Sequence, residues 1–571
     1  MRAAVALALL LLPAPMAWAQ EDDRGYLTAF LEDNLSDAGR KVTITGFEGA
    51  LSSRATMDRI EIADDAGVWI ALDDVVLDWS RSSLLSGAVE VNELSAATIT
   101  VNRLPALPEG DTAPAPEAGG FALPELPVSV DIGQIEATRI ILGETVLGEP
   151  VEGRFQAALT LAGGEGKADL VLERTDGPVS RIALDAAFSN ATGVLALDLQ
   201  AKEEAGGIAA RLLDLPGAPS VNLTIAGTGA LSDFAADIRL ASDGVERLAG
   251  PVAITLDQDG AYRFTAQVAG NLAPLFLPDY AAFLGDRVAL DLSGRHWPGG
   301  RLALDRLGLD ARALDLQGAL VVAGDGLPES FDLRAIVGSD DGLPVLLPLP
   351  GQGETRLRRG EISLAFDSTR GNGWRGTAAL IGLERADLRL GRAQLSGSGR
   401  IDRANGRSGI GATLDFAAEG VTPQSPDLQA ALGQSLSGSA ILYWREGLET
   451  LRLPKLTLRG DDYGLEASLR IEGLDSGLNT SGIITLTAED LARFSGLAGQ
   501  DLSGAATLRA EGEASGLTGA FDMAAEMVAT GLKTGIAQAD RLARGTVRLT
   551  AAARRDETGI TLRALDATAG G

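Results

Sequence analysis

The one histidine of the chain, His296, stands in the run SGRHWPGGR. A lone imidazole acts as a general base only beside a placed partner. None is marked here, so a surface turn position is expected. The chain has no Cys, which removes disulfides, iron–sulfur clusters, thiolate zinc sites and thiol nucleophiles. Acidic pairs recur at Asp22–Asp23, Asp64–Asp65, Asp73–Asp74, Asp340–Asp341 and Asp461–Asp462. Carboxylates serve glycosidase dyads and calcium sites, but neighbours on a strand point to opposite faces. Solvated turns are therefore expected for these pairs. Trp69, Trp79, Trp297, Trp374 and Trp444 fit core or sheet-edge anchors better than carbohydrate platforms. No catalytic, cofactor or metal residues emerge, and the chain is read as a non-enzyme without cofactor.

Charge narrows the partners. The 78 acidic residues outweigh 49 basic ones, for a net charge of −29. A nucleic-acid groove needs a basic footprint, so no nucleic acid is expected. Hydrophobic residues make up 45% of the 571 positions and charged ones 22%, which excludes disorder as a description of the whole. Aromatics reach only 4%, so the apolar material is aliphatic.

The elements that carry this material alternate with a period of two. Examples are Val68, Ile70, Leu72, then Val75, Leu77, Trp79; Ile99, Val101; Leu195, Leu197, Leu199; Leu302, Leu304, then Leu307, Leu309; Ile362, Leu364, Phe366; Leu469, Ile471; Ile484, Leu486. Such strands have one apolar and one polar face. The change of parity between Leu304 and Leu307 signals a turn or bulge. Gly, Asp and Asn punctuate the runs as hairpin turns do. Short helical inserts are predicted at 271–285, 426–433 and 489–499, each followed by a glycine-bounded strand at irregular spacing. A sheet this long with one apolar face must curl, as a sandwich, barrel, solenoid or open groove.

The first 19 residues, MRAAVALALLLLPAPMAWA, have a positive start, an apolar run and an A-x-A site. That is the layout of a secretory signal peptide, with an uncleaved anchor as the rival. Residues 21–38 space Leu27, Phe30, Leu31, Leu35 and Ala38 as one amphipathic helix. Six prolines between Pro105 and Pro127 mark a long exposed loop.

Two passages go beyond pattern. One is residues 42–105, with GFEG (46–49), DDAGVWIALDDVVLDW (64–79) and a strand closing at Arg103-Leu104-Pro105. The other is DLARFSGLAGQDLSGAATLRAEG (490–512). Both resemble the TamB family, AsmA-like inner-membrane partners of an outer-membrane assembly barrel. The resemblance implies a mostly β fold: a long curled antiparallel sheet forming an elongated groove with an apolar lining. It also implies a periplasmic place in a Gram-negative bacterium, associated with the inner membrane or anchored there at the N-terminus. The implied function is carriage of phospholipid and help with assembly and secretion of outer-membrane proteins. The implied partners are phospholipid acyl chains, the inner membrane and a barrel of the TamA type, engaged through a C-terminal domain expected to be missing here.

The resulting organisation is a signal segment or anchor at 1–19 and a TamB-like segment at 20–104. The Pro-rich loop at 105–127 and a degenerate repetitive β-groove at 128–571 follow. Leu77, Ile99, Val101, Leu197, Leu304, Leu364, Leu469, Leu486 and Leu508 are the candidate groove-lining residues. A closed core remains the competing reading of that aliphatic stripe. At the level of function the alternative is a secreted β-solenoid or adhesin-type surface protein. Asparagine ladders or calcium nonapeptides would favour that alternative, and neither is present. An acid-based carbohydrate enzyme is a third class.

Overall fold

The computed structural model describes residues 41–49, 53–64, 66–80, 82–83, 88–105, 123, 129–349, 354–404, 407–445, 450–473, 479–515, 518–556 and 559–570. The expected signal segment (1–19) and amphipathic helix (21–38) lie outside them. So does the Pro-rich stretch, apart from residues 105 and 123. Two compact units divide the chain: one takes residues up to 278 with 289–300, the other 279–288 with everything from 301.

The first unit holds β1 (Lys41–Thr45), β2 (Arg54–Asp64), β3 (Gly67–Ser80), β4 (Ala88–Val101), β5 (Ser129–Leu142), β6 (Val151–Ala162), β7 (Glu165–Arg174), β8 (Ser180–Ser189), β9 (Val194–Glu203), β10 (Val221–Ala230), β11 (Asp233–Ser242), β12 (Val245–Leu256) and β13 (Tyr262–Gly270). β14 (Val288–His296) follows. The second unit holds β15 (Leu302–Ala311), β16 (Leu314–Val322), β17 (Pro328–Val337), β18 (Thr355–Asp367), β19 (Gly373–Arg385), β20 (Leu388–Ala404), β21 (Arg407–Glu419), β22 (Ser435–Arg445), β23 (Thr450–Arg459), β24 (Tyr463–Glu472), β25 (Asn479–Ala488), β26 (Ser503–Ser515), β27 (Phe521–Lys533), β28 (Thr546–Asp556) and β29 (Gly559–Gly570). Two-residue strands at Val345–Leu346 and Thr422–Pro423 add to β18 and β20.

The fold is mostly β, as the alternation demands. Within each unit successive strands pair in chain order, and neither ladder closes into a barrel. One pairing departs from the antiparallel expectation: β4 and β5 run parallel, from Ala88 opposite Ser129 to Val101 opposite Leu142. A parallel pair needs a long return connection, which accounts for the length of chain between these strands.

Parity shifts in the sequence have local causes. In β15 the ladder slips between Leu304 and Leu307, so the shift is a bulge inside one strand, not a turn. In β3 it falls at Asp74, whose φ of 51 is left-handed. Asp73 and Asp74 therefore lie mid-strand, which corrects the turn expected there. The flip keeps Leu72 and Leu77 on one cluster, with Val42, Ile44, Met57, Val75 and Ala96.

Short helices interrupt the ladders: α1 (Glu144–Leu147), α2 (Ile208–Leu212), α3 (Ala281–Leu284), α4 (Pro426–Leu432), α5 (Ser495–Ala498) and α6 (Ala537–Leu542). They are irregular in residues but regular in strands. Insertions follow β5, β9, β13, β17, β21 and β25, every fourth strand; that after β17 carries Val345–Leu346, and α6 after β27 is the exception. Alternating antiparallel strands return to the same direction every two, so β5 and β9 insert at one edge of the first ladder. For the same reason β17, β21, β25 and β27 insert at one edge of the second.

Candidate functional site

The registers join the alternating residues into continuous cross-strand ribbons. In the second unit one runs Leu309, Leu316, Ala335, Ile362, Ala378, Leu395, Phe416, Gly438, Leu458, Leu465, Leu486, Leu508, Met527, Leu549 and Ala567. Every strand from β15 to β29 contributes, and no position is polar. Leu364 belongs to a second ribbon on the same face, through Leu333 and Gly376. Leu304 pairs with Leu320, and Leu469 pairs with Leu453 and Gly482, on a third. One residue away on β18 the sheet turns its other side: Arg334, Ser363, Thr377, Ser396, Asp415, Ser439, Thr457, Glu466, Thr485, Arg509 and Glu526 form a wholly polar ribbon.

The first unit repeats the arrangement. Met57, Val75, Ala96, Ala137, Phe155, Leu172, Ile182, Ala201, Leu223, Leu240 and Leu248 face one another from β2 to β12. Leu197 lies four residues from Ala201, opposite Ala186 and Gly227. Leu77 and Ile99 pack on the Val42–Met57 cluster, and Val101 pairs with Ile70. All nine candidates therefore share the apolar face of their unit. The sequence shows Ile362 alternating with Leu364, but it does not single out Ile362, Leu395 or Phe416 as candidates, and the registers make them equal members.

The face is buried in part of the first unit, at Met57, Val75, Ala96 and Ala137, and open on β18–β20 of the second. No large side chain among the described residues is fully buried, and Ile362, Leu364 and Leu395 keep 36%, 38% and 40% of their surface exposed. Glycine and alanine recur along the ribbons and thin that side of the sheet. At Gly438 a Cβ would stand 2.5 Å from the Phe416 ring, so the ring lies across the missing side chain.

In the second unit a buried cluster lies at the insert edge, and Leu458, Leu486 and Met527 of the ribbon pack against it. Tyr463, Ala488, Leu491, Ala506, Ala529, Leu532 and Val547 form that cluster. Arg493, in the 3-10 turn Leu491–Phe494 before α5, ties it to α4. Its Nη1 donates to the Ala431 carbonyl at 3.0 Å, it pairs with Asp462, and its guanidinium lies 4.9 Å from the Tyr463 ring centre. The Tyr463 hydroxyl donates to the Leu432 carbonyl at 3.0 Å. Burial pushes that hydroxyl above its usual pKa, against the opposing pull of Arg493. Arg493→Ala removes the charged hydrogen bonds and is expected to cost about 2 kcal/mol. Urea denaturation with hydrogen exchange at the α4 and β24 amides measures it; a loss spread evenly over the chain would contradict this local role.

In the first unit the insert edge leaves a cavity of 420 Å³ over the apolar face, between α1 and α2. Its lining joins Ile140 of β5 to Leu240 of β11. Those strands are six steps apart, roughly 29 Å in a flat sheet at ~4.8 Å per step, so a cavity of that volume reflects a curled sheet. Glu173, Arg174 and Glu203 at its margin are engaged by neighbours, and the exposed Lys202 also lines it. The Arg154 hydrogen bond, with Arg181 beyond it, holds the Glu173 carboxyl below the usual carboxylate range. Glu203, buried, accepts from the Ile208 and Ala209 amides, the latter at 2.8 Å, and so caps α2.

His296 is the exposed last residue of β14. Trp297 beside it donates to Asp259 at 3.4 Å and lies under Arg295. The Trp374 indole donates to the Gly411 carbonyl at 3.2 Å, a sheet anchor as expected. Asp340–Asp341 and Asp461–Asp462 lie at turns. No group of three potential metal ligands occurs among the described residues, nor a helix long and apolar enough to cross a membrane. Compared with known proteins, the chain matches no family model, no curated protein and no solved structure.

Proposed function

We propose that the chain is a non-enzymatic envelope-biogenesis factor of the TamB kind, which holds phospholipid acyl chains along the apolar face of its sheet and passes them through the periplasm. In this reading it works between the inner membrane and an outer-membrane assembly barrel of the TamA type, and assists outer-membrane protein assembly and secretion. One observation carries the reading: an apolar ribbon crosses fifteen strands unbroken, none of its members is buried, and Ile362 and Leu395 keep 36% and 40% of their surface exposed. Soluble proteins rarely leave so contiguous an apolar surface without an occupant. Acyl chains suit it because strands paired on both sides offer a polypeptide no free backbone groups, whereas hydrocarbon needs none.

Lipid extraction and mass spectrometry on the chain purified from a bacterial envelope test this. Phospholipid is expected at one or more molecules per chain. After delipidation, uptake from phosphatidylethanolamine–phosphatidylglycerol vesicles is expected to restore it. A lipid-free chain that takes up none would overturn the proposal.

A further inference from the structure

We infer that the cavity between α1 and α2 is a separate side site for one phospholipid acyl chain, latched by Glu149; this rests on the function proposed above. The cavity, 420 Å³, falls within the ~300–1,000 Å³ of ordinary ligand sites. Ile140, Leu147, Ile182, Leu212 and Leu223 line it, and its floor is the apolar ribbon itself. A chain entering here therefore arrives on the same face that runs along the ladder.

The insert edge differs between the two units. In the second, α4 and the turn before α5 touch through the Arg493–Ala431 hydrogen bond. In the first, α1 and α2 leave a gap, and one carboxylate bridges it. Glu149, just after α1, accepts from Arg211 of α2 at 2.6 Å and from Arg174 of β7 at 3.3 Å. Leu212 and Leu213 at the end of α2 are 62% and 68% exposed, an apolar lip beside that bridge.

The chemistry of the cavity selects hydrocarbon. Each strand from β5 to β11 has ladder partners on both sides, so no strand can be added by a peptide. Three of the four marginal charges are engaged: Glu203 by the α2 amides, Glu173 by Arg154 and Arg181, Arg174 by Glu149 and by Asp176 at 2.7 Å; the fourth, Lys202, is exposed. A peptide would bring backbone groups that find no partners here.

The test photolabels the full chain with phosphatidylethanolamine carrying a diazirine in one acyl chain, presented in vesicles, and maps the labelled peptides. Labels are expected on residues 140–151 and 208–223 as well as on the β18–β20 ribbon. Ala201→Phe fills the floor and should cut cavity labelling about tenfold while ribbon labelling persists. Glu149→Gln releases the latch without added bulk and should raise cavity labelling about threefold, the scale of an exposed ion pair. Salt should raise it in the native chain and not in that variant. Ribbon labels with none in the cavity overturn this inference and leave the proposed function standing. Labels at neither place overturn both. Cavity labelling by a diazirine fatty acid but not by the phospholipid overturns the choice of ligand.

Discussion

The double variant Leu364→Asp, Leu469→Asp folds and loses its lipid. Leu364 keeps 38% of its surface exposed and Leu469 is half-buried, so both carboxylates reach water when the face is empty. The cost to folding is the lost partial burial of two leucines, about 1–2 kcal/mol each. It falls on separate stretches of ladder, since Leu364 opposes Leu333 and Gly376 while Leu469 opposes Leu453 and Gly482. Bound hydrocarbon meets a different situation. A carboxylate pressed against acyl chains is desolvated without a partner, which costs several kcal/mol. About 1.4 kcal/mol already separates a tenfold change in occupancy. Co-purified phospholipid should fall at least about tenfold, with thermal unfolding shifted only a few degrees. Thr485→Asp, on the polar ribbon, is the matched control and should change neither. Unfolding of the double variant, with the control intact, would identify the face as closed core and remove the physical basis for carriage.

How far the sequence carries this argument differs from residue to residue. The face of Ile362, Leu364 and Phe366 is legible because period two is a backbone property. The slips at Leu304–Leu307 and Leu72–Val75 are legible as broken parity, though only the structure assigns the first to a bulge and the second to the left-handed Asp74. Register is not legible. Whether Leu486 opposes Leu508 or its neighbour depends on turn length, and one residue's slip exchanges the faces. The parallel pairing of β4 with β5 escapes for a related reason, since it joins strands separated by the Pro-rich stretch. The four-strand rhythm of insertions is hidden because α1 and α2 span only 4 and 5 residues, too few to display a helical period. Exposure is the largest gap. Leu364 and Ala529 both sit on alternating apolar positions, yet one lies on open face and the other under the insert edge, and nothing within either strand distinguishes them.

That contrast sets the second large effect. Ala529→Asp should unfold the insert edge of the second unit, where Leu364→Asp does not disturb it. Ala529 is 1% exposed, flanked in the ladder by Ala506 and Val547 and packed in the cluster with Tyr463, Leu491 and Leu532. A carboxylate there has no path to water, and leaving it unpaired costs several kcal/mol. Set against a typical stability of 5–15 kcal/mol, that is a large share. Ladder neighbours carry the damage, because each strand depends mainly on the two beside it. Hydrogen exchange should therefore accelerate first at β26, β27 and β28, while the first unit keeps its protection. The pH dependence has a definite sign. Burial favours the neutral acid, so the new carboxyl has a folded pKa above its unfolded value of about 3.9. The folded variant then holds the proton more tightly than the unfolded one. The charge-dependent part of its deficit is absent below about pH 3.9 and grows as pH rises towards the folded pKa, then levels off. Urea unfolding of the variant and of the native chain from pH 4 to pH 8 should show the gap widening. Ala529→Asn, with a similar shape and no titrating group, should show a smaller deficit that does not change with pH. A gap independent of pH in the Asp variant would mean that its side chain escapes to solvent. The insert edge would then be as open as the face around Leu364.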